Sequence, residues 1–388
     1  MSTDFSSTRE LCASAAWSPL TTVPRATRQS IGLSGEAPCG VPTPLSGDSP
    51  DGVPAPERSG VRVSAIIVNF NQREHLRHCL TSVFHALAQV DGATEVLLVD
   101  NASSDGSAEM VAREFPQVRL QRAQRNVGFA TAICQALTNA SGTWIFMLNN
   151  DATIATDAVR RMLDVGEREA TVGSIAALVL FADGGGRINS AGIDVDRVGV
   201  AFDRLLGKPA AAAAGDPSEV FGASAAGALL RRRMLEDIGG FDPRFFLYLE
   251  DVDVAWRART RDWRCVLVPD ALVYHHHSVS SGHGSAFKYE HVGRNRIRLL
   301  AKNAPTAHLL RYGPLILAYD AAYVLFVAAR ERSLAPLRGR WAGLREWRLY
   351  RGDASMRGAE HLSPPRGLRA ALSRRSAWRT SSAGVRRC

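Results

Sequence analysis

Three apolar runs, each closed by Asn or Asp and separated by helical periodicity, constrain this 388-residue chain most: VRVSAIIVNF from Val61, EVLLVDN at 95–101 and TWIFMLNND at 143–151. A run that is apolar at nearly every position is what a strand buried on both faces shows, and such strands belong to parallel sheets covered by helices. The intervening segments supply the helices. HLRHCLTSVFHALAQV (75–90) sets Leu76, Leu80, Val83, Phe84 and Leu87 at helical spacing, DGSAEMVAREF (105–115) opens near Asp105, and a third helix runs from about Ala130 to Asn139. Strand, helix, strand in this order predicts a parallel α/β sheet with right-handed crossovers. Ligands of such sheets bind beyond the carboxyl ends of the strands, where Asn69, Asn71, Asp100, Asn101 and the triplet 149–151 fall.

The flanks read differently. Residues 1–60 are rich in Ser, Thr, Pro, Gly and Ala with no periodic apolar run, the composition of a disordered leader. No basic-then-apolar secretory pattern opens the sequence, so a cytosolic location is expected. Six scattered cysteines without CxxC or His-paired spacing argue against a zinc module or disulfide framework and fit a reducing compartment. Residues 306–330 are apolar but interrupted by Asp320, short of the roughly 18 uninterrupted residues of a bilayer span. The net charge of +9 lies in the tail: 331–388 holds fourteen arginines against four carboxylates. The expected division is therefore a leader at 1–60, a catalytic α/β domain at 61–304, and at 305–388 an apolar helix with an Arg-rich tail that could anchor at a membrane surface.

Residues 222–259 predict an apolar stretch, a helix ending at Gly239-Gly240 and a second helix from near Leu249. RCVLVPDALVYHHH then predicts a strand pair punctuated by Pro269. Three features could carry chemistry. Asp100 and Asp151 each close an apolar strand; turn punctuation explains either alone, but less readily both together with Asn149 and Asn150. Glu250, Asp251 and Asp253 follow the aromatic run Phe245, Phe246 and Tyr248, and apolar walls raise a carboxylate's proton affinity toward that of a competent base. In isolation, helix N-terminal charge favoured by the macrodipole is the better explanation of that cluster. Of His275, His276 and His277, only the first and third can share a strand face and one metal. No GxGxxG follows the first strand and no GxxxxGK[ST] occurs, which disfavours dinucleotide redox chemistry and P-loop hydrolysis.

In order along the chain, VSAIIVNFN (63–71), LLVDNASSDGS (97–107), RNVGFATA (125–132), FMLNND (146–151), GALLRRR (227–233), IGGFDPRFFLYLEDVDVAWRAR (238–259), PDALVYHH (269–276) and RNRIRL (294–299) resemble the inverting glycosyltransferases of family 2. The likeness is strongest to rhamnosyltransferase-like and galactofuranosyltransferase-like members. It implies a GT-A fold, a mostly parallel central sheet flanked by helices, with a C-terminal helical extension. It also implies that Asn69, Asn71 and Asp100 line the nucleotide pocket, and that Arg125 and Asn126 face the nucleotide-sugar. The family's D-x-D metal motif stands here as Asn149-Asn150-Asp151, leaving Asp151 as its charged ligand, beside Asn150 in the donor site. His275 matches a histidine that completes the site for a divalent metal, Mg2+ or Mn2+. Asp251 matches the catalytic base, with Glu250 beside it as the alternative.

The expected activity is metal-dependent, inverting transfer of a sugar from a dTDP- or UDP-sugar to a hydroxyl of a cell-envelope glycan or lipid-linked acceptor. The expected place is the inner face of the plasma membrane, through peripheral contact. Two other classes stay open: a catalytically silent sugar-nucleotide-binding scaffold, and a basic-tailed nucleic-acid binder. Nucleic acid is not the expected partner, because the tail's tryptophans and arginines match no recognisable RNA or DNA module.

Overall fold

The structure, a computed structural model, describes residues 60–276, 285–351 and 361–365. The expected leader, most of the Arg-rich tail and His277 lie outside the described residues.

The first apolar run forms strand β1 (Val61–Asn69), followed by helix α1 (Arg73–Leu87), β2 (Ala93–Asp100), α2 (Ser107–Glu114), β3 (Arg119–Arg122), α3 (Phe129–Asn139) and β4 (Trp144–Leu148). β1 pairs in parallel with both β2 and β4, and β2 with β3, so this half has the expected parallel order with every crossover a helix. In register, Asn69 lies opposite Asp100. Beyond β4 come β5 (Ala152–Ile154), α4 (Ala158–Gly166), β6 (Val172–Phe181), β7 (Ile188–Ser190), β8 (Ile193–Val195), β9 (Ala201–Asp203), β10 (Ser218–Val220) and β11 (Gly227–Arg231). The chain then runs through α5 (Arg232–Ile238), α6 (Glu250–Arg259) and β12 (Arg264–His275).

The sheet order is β10-β12-β6-β11-β4-β1-β2-β3, with β5 on β12 and β7 on β6. The sheet is continuous but more mixed than expected. β11 runs antiparallel between β4 and β6, and β10 runs antiparallel to β12. The physical consequence matters for the site. Because β11 is reversed, its leading residues 224–226 arrive at the edge where β1, β2, β4 and β12 end. The segment expected as a strand pair around Pro269 is the single strand β12, whose pairing with β6 slips between Val268 and Leu272. A local irregularity accommodates Pro269 and Asp270, since proline cannot donate to the ladder.

One face of the sheet buries Leu76, Leu80, Val83, Met110 and Met162 from α1, α2 and α4. The other buries Ile133, Leu137, Met234, Leu235 and Val254 from α3, α5 and α6. The C-terminal helical region comprises α7 (Ala286–Asn303), α8 (Thr306–Glu331), α9 (Ala335–Arg345) and α10 (Trp347–Arg351). The boundary expected at residue 304 is a helix end with packing continuing across it. Tyr350 of α10 is buried edge-on against Phe245, and Arg340 of α9 and Arg296 of α7 each reach Asp320 of α8, at 2.8 and 2.9 Å. Cys79, Cys134 and Cys265 are buried thiols outside any disulfide.

Candidate active site

A cavity of about 870 Å3 opens at the carboxyl edge of the sheet, lined on one side by Asn149, Asn150, Asp151 and His275 and on another by Glu250 and Asp251. The first wall is set by strand register. Antiparallel pairing of β5 with β12 puts Ala152 opposite His275, and His275 Nε2 then lies 3.1 Å from Asp151 Oδ1. Its other ring nitrogen, Nδ1, is 3.0 Å from Oδ1 of Asn189 on β7, and Asn149 Nδ2 is 3.3 Å from Nε2. Both aspartate and histidine are buried. Burial alone would raise the Asp151 carboxyl, but the His275 hydrogen bond and charge outweigh it and hold the group below its ordinary value.

The donor chemistry fits a divalent cation. A carboxylate oxygen and an imidazole nitrogen converge at the cavity wall, and the far nitrogen of the ring faces an amide oxygen that fixes its N–H, the usual arrangement behind a metal-binding histidine. Among the described residues no group of three or more His, Cys, Asp or Glu side chains gathers. Of the described residues, Asp151 and His275 are the two such donors at this wall, and further positions would fall to substrate phosphate oxygens and water.

The carboxylate run that also lines the cavity is placed by a strained loop. Phe246, Tyr248 and Leu249 have φ of 64°, 73° and 66°, a left-handed conformation that side-chain-bearing residues adopt only when their surroundings impose it. Two neighbours do so here. Asn295 of α7, fully buried, directs Nδ2 at the carbonyls of Phe245, Leu247 and Tyr248 at 2.8, 2.9 and 2.8 Å. At the start of α3, the Ala130 N–H donates to the Phe246 carbonyl at 3.1 Å, while Gly128 has φ 86° and sits where a Cβ would come within 2.4 Å of the Phe246 ring. The loop delivers α6, whose acidic residues separate by environment. Asp253 is buried and bound by Arg257, Lys302 and Asn303 at 2.6, 3.2 and 2.9 Å, so it ties α6 to α7. Asp251 accepts the Ala225 and Val252 N–H groups at 3.2 and 2.9 Å. Burial first, then the charge of Asp203 on β9, push its carboxyl up to about 6, against the opposing pull of the Ala225 bond. Burial first, and the Asp251 charge second, push Glu250 up to about 8.

The expected nucleotide residues divide into two groups. Asn150 and Asn126 line the cavity. Asn69, Asn71 and Asp100 instead knit the loops beneath it. Asn69 Nδ2 donates to Asp100 and Ser103, while its Oδ1 accepts from Asn150 at 2.7 Å. Asn71 Oδ1 accepts the Ser104 N–H at 2.7 Å, and Asp100 Oδ2 accepts the Ser103 N–H at 3.1 Å. Arg125 is exposed and stands outside the cavity lining. Sequence reasoning overlooked Asn189, Asp203 and Asn295. Only Asn295 left a local signal, its place inside RNRIRL.

Residues 64–239 match the model of glycosyl transferase family 2. The chain is 28% identical over 243 residues to an N-acetylglucosaminyl-diphospho-decaprenol L-rhamnosyltransferase of Mycobacterium tuberculosis, covering 57% of this chain and 78% of that protein. It is also 28% identical over 233 residues to the O-antigen biosynthesis protein RfbC of Myxococcus xanthus, covering 58% of this chain but 18% of that one. Among solved structures, GalNAc-T7 with UDP, GalNAc and Mn2+ aligns at a TM-score of 0.49 and 16% identity, covering 76% of this chain and 55% of that one. The matched family segment spans β1 to α5, including the Asn149-Asn150-Asp151 wall of the cavity; it covers less than half of the chain, and together with these relatives it marks the chain as a glycosyltransferase.

Proposed function

We propose that the cavity carries out metal-dependent, inverting transfer of a sugar from a nucleoside-diphosphate donor, with Asp251 as the base. The observation that carries this reading is the convergence on one cavity of a buried carboxylate–imidazole pair and a carboxylate raised to about 6. Asp151 and His275 would hold Mg2+ or Mn2+, which when bound offsets the charge growing on the departing diphosphate. Asp251, ionised at neutral pH and fixed by the Ala225 N–H, would take the proton of the acceptor hydroxyl as it attacks the anomeric carbon. A single displacement inverts that carbon. Asn126 and Asn150 would contact the donor, a dTDP- or UDP-sugar. Asn69, Asn71, Asp100 and Arg125 would support or border that subsite.

The acceptor in this reading is a lipid-linked or growing cell-envelope glycan, in keeping with the decaprenol-linked name of the mycobacterial relative. Helix α8 is long and apolar enough to cross a membrane by length and composition. Its inner face, however, is tied to the body of the protein through Asp320 and through His308, which lies 2.7 Å from the Arg197 carbonyl. Leu310, Leu317 and Leu325 point outward at 77%, 72% and 69% exposure, and Leu337, Trp341 and Leu344 form a similar stripe on α9. Exposed Arg311, Arg330, Arg338 and Arg345 flank them. An apolar stripe bordered by cations suits in-plane docking on an anionic cytoplasmic leaflet.

The test is nucleotide release from a panel of UDP- and dTDP-hexoses with purified protein, followed by the anomeric configuration of the product. Release above the no-enzyme rate with inversion supports the reading. No release from any donor, or retained configuration, refutes it.

A further inference from the structure

Among the described residues, Glu250 is a carboxyl at the site whose partners are incomplete. It is 5% exposed, it lines the cavity, and its Oε2 has no hydrogen-bond partner among the described residues. Its neighbours on α6 are already satisfied, Asp251 by backbone N–H groups and Asp253 by Arg257, Lys302 and Asn303. A buried polar atom without a partner is costly, and native proteins rarely keep one that nothing completes.

The charged groups around Glu250 decide its state. Asp251 and Asp253 lie on its own helix, and Asp203 of β9, Asp151, His275 and Lys288 of α7 line the same cavity. Burial first, then the charges of Asp251 and Asp253, keep the Glu250 proton in place at neutral pH. A protonated carboxyl has one O–H to donate, and successive helical residues diverge by about 100°. Two adjacent acids on one wall can thus serve unlike purposes.

We propose that Glu250 recognises substrate by donating its carboxyl hydrogen to a sugar hydroxyl oxygen in the cavity. It keeps that proton throughout, while Asp251 removes one. This inference rests on reading the cavity as the transfer site. The hydroxyl belongs to the transferred sugar or to the acceptor glycan, and kinetics separate the two.

The experiment uses the full chain and two readouts. Infrared difference spectra across pH 6 to 9 report a protonated carboxyl directly; wild type should show one at pH 7 that disappears near pH 8 and is missing in Glu250→Gln. With the best donor of the UDP- and dTDP-hexose panel, Glu250→Gln, which still donates through its amide, should keep kcat/KM within about threefold at pH 7. Glu250→Leu, which cannot donate, should lose about tenfold. A rise in the donor KM assigns the hydroxyl to the transferred sugar, and a rise in the acceptor KM to the glycan. A wild type without the protonated carboxyl, or a Gln variant as impaired as Leu, overturns the proposal. Should Glu250→Leu not fold, the alkaline fall of the wild-type rate decides: it must vanish in Glu250→Gln. Glu250 variants that behave as expected beside a fully active Asp251→Asn would instead sink the base assignment alone.

Discussion

His275 Nε2 lies 3.1 Å from Asp151 Oδ1 although 124 residues separate them in sequence. The pairing of β5 with β12 makes this contact, and Asn189 fixes the ring from behind. If the pair holds a divalent cation, Asp151→Ala should abolish Mn2+ binding in the presence of UDP, read by the paramagnetic signal of free Mn2+. Asn189→Ala, which removes the amide oxygen facing Nδ1 of the ring, should weaken it by about 10- to 100-fold. Unaltered Mn2+ affinity in Asp151→Ala would remove the metal assignment.

The Asp251 carboxyl, raised to about 6, must be ionised to accept a proton. Transfer should therefore rise with pH through about 6, and Asp251→Asn should lower kcat by about 10²- to 10⁴-fold with little change in donor binding. A rate that does not change between pH 5 and 7 would point to a different base.

Glu250 also predicts how stability depends on pH. Its folded carboxyl titrates near 8 and an unfolded glutamate near 4.3, so its contribution is complete below about pH 4.3 and is lost as pH rises through about 8. Glu250→Gln removes that loss. The difference in melting temperature, variant minus wild type, should grow from pH 5 to pH 8 and then level off. A difference that stays constant over this range would mean the side chain is ionised in the folded protein.

Asn295 has two amide hydrogens and three carbonyls within 2.9 Å, and it holds the left-handed loop that leads into Glu250. Asn295→Ala should lower unfolding stability by about 1–3 kcal/mol and reduce kcat more than it raises the donor KM. Asn295→Asp, which places oxygens against carbonyls, should be worse on both counts. Denaturant melts and steady-state kinetics check this, and a kcat equal to wild type would leave Asn295 with a purely structural role.

Replacing Leu310, Leu317 and Leu325 together by Gln should leave nucleotide release unchanged and reduce sedimentation with vesicles containing anionic phosphatidylglycerol. Binding of the wild type should also weaken with salt, since each basic residue near such a surface contributes about 1 kcal/mol that ions screen. Equal sedimentation of variant and wild type would exclude the α8 stripe as the contact.

The sequence by itself determined the parallel half of the sheet, because doubly buried strands and amphipathic helices are local patterns: β1, β2 and β4 lie where continuous apolar runs are, and α1 and α3 where apolar spacing is helical. It also determined which residue types crowd the carboxyl edge, since Asn and Asp close each run. The tertiary structure alone decided how those residues are used. Asn69 and Asp100 share one termination pattern with Asn150, yet register pairs the first two beneath the loops and leaves the third on the cavity. The reversal of β11, which no periodicity announces, brings the Ala225 N–H to Asp251. Three acidic residues within four positions look alike in sequence and differ in the fold. Arg257 and Lys302 neutralise Asp253 while Asn303 donates to it, backbone N–H groups hold Asp251, and Glu250 is buried with no partner for Oε2 among the described residues. The physical reason is that charge state depends on which distant groups surround a carboxyl, and only chain packing sets those neighbours.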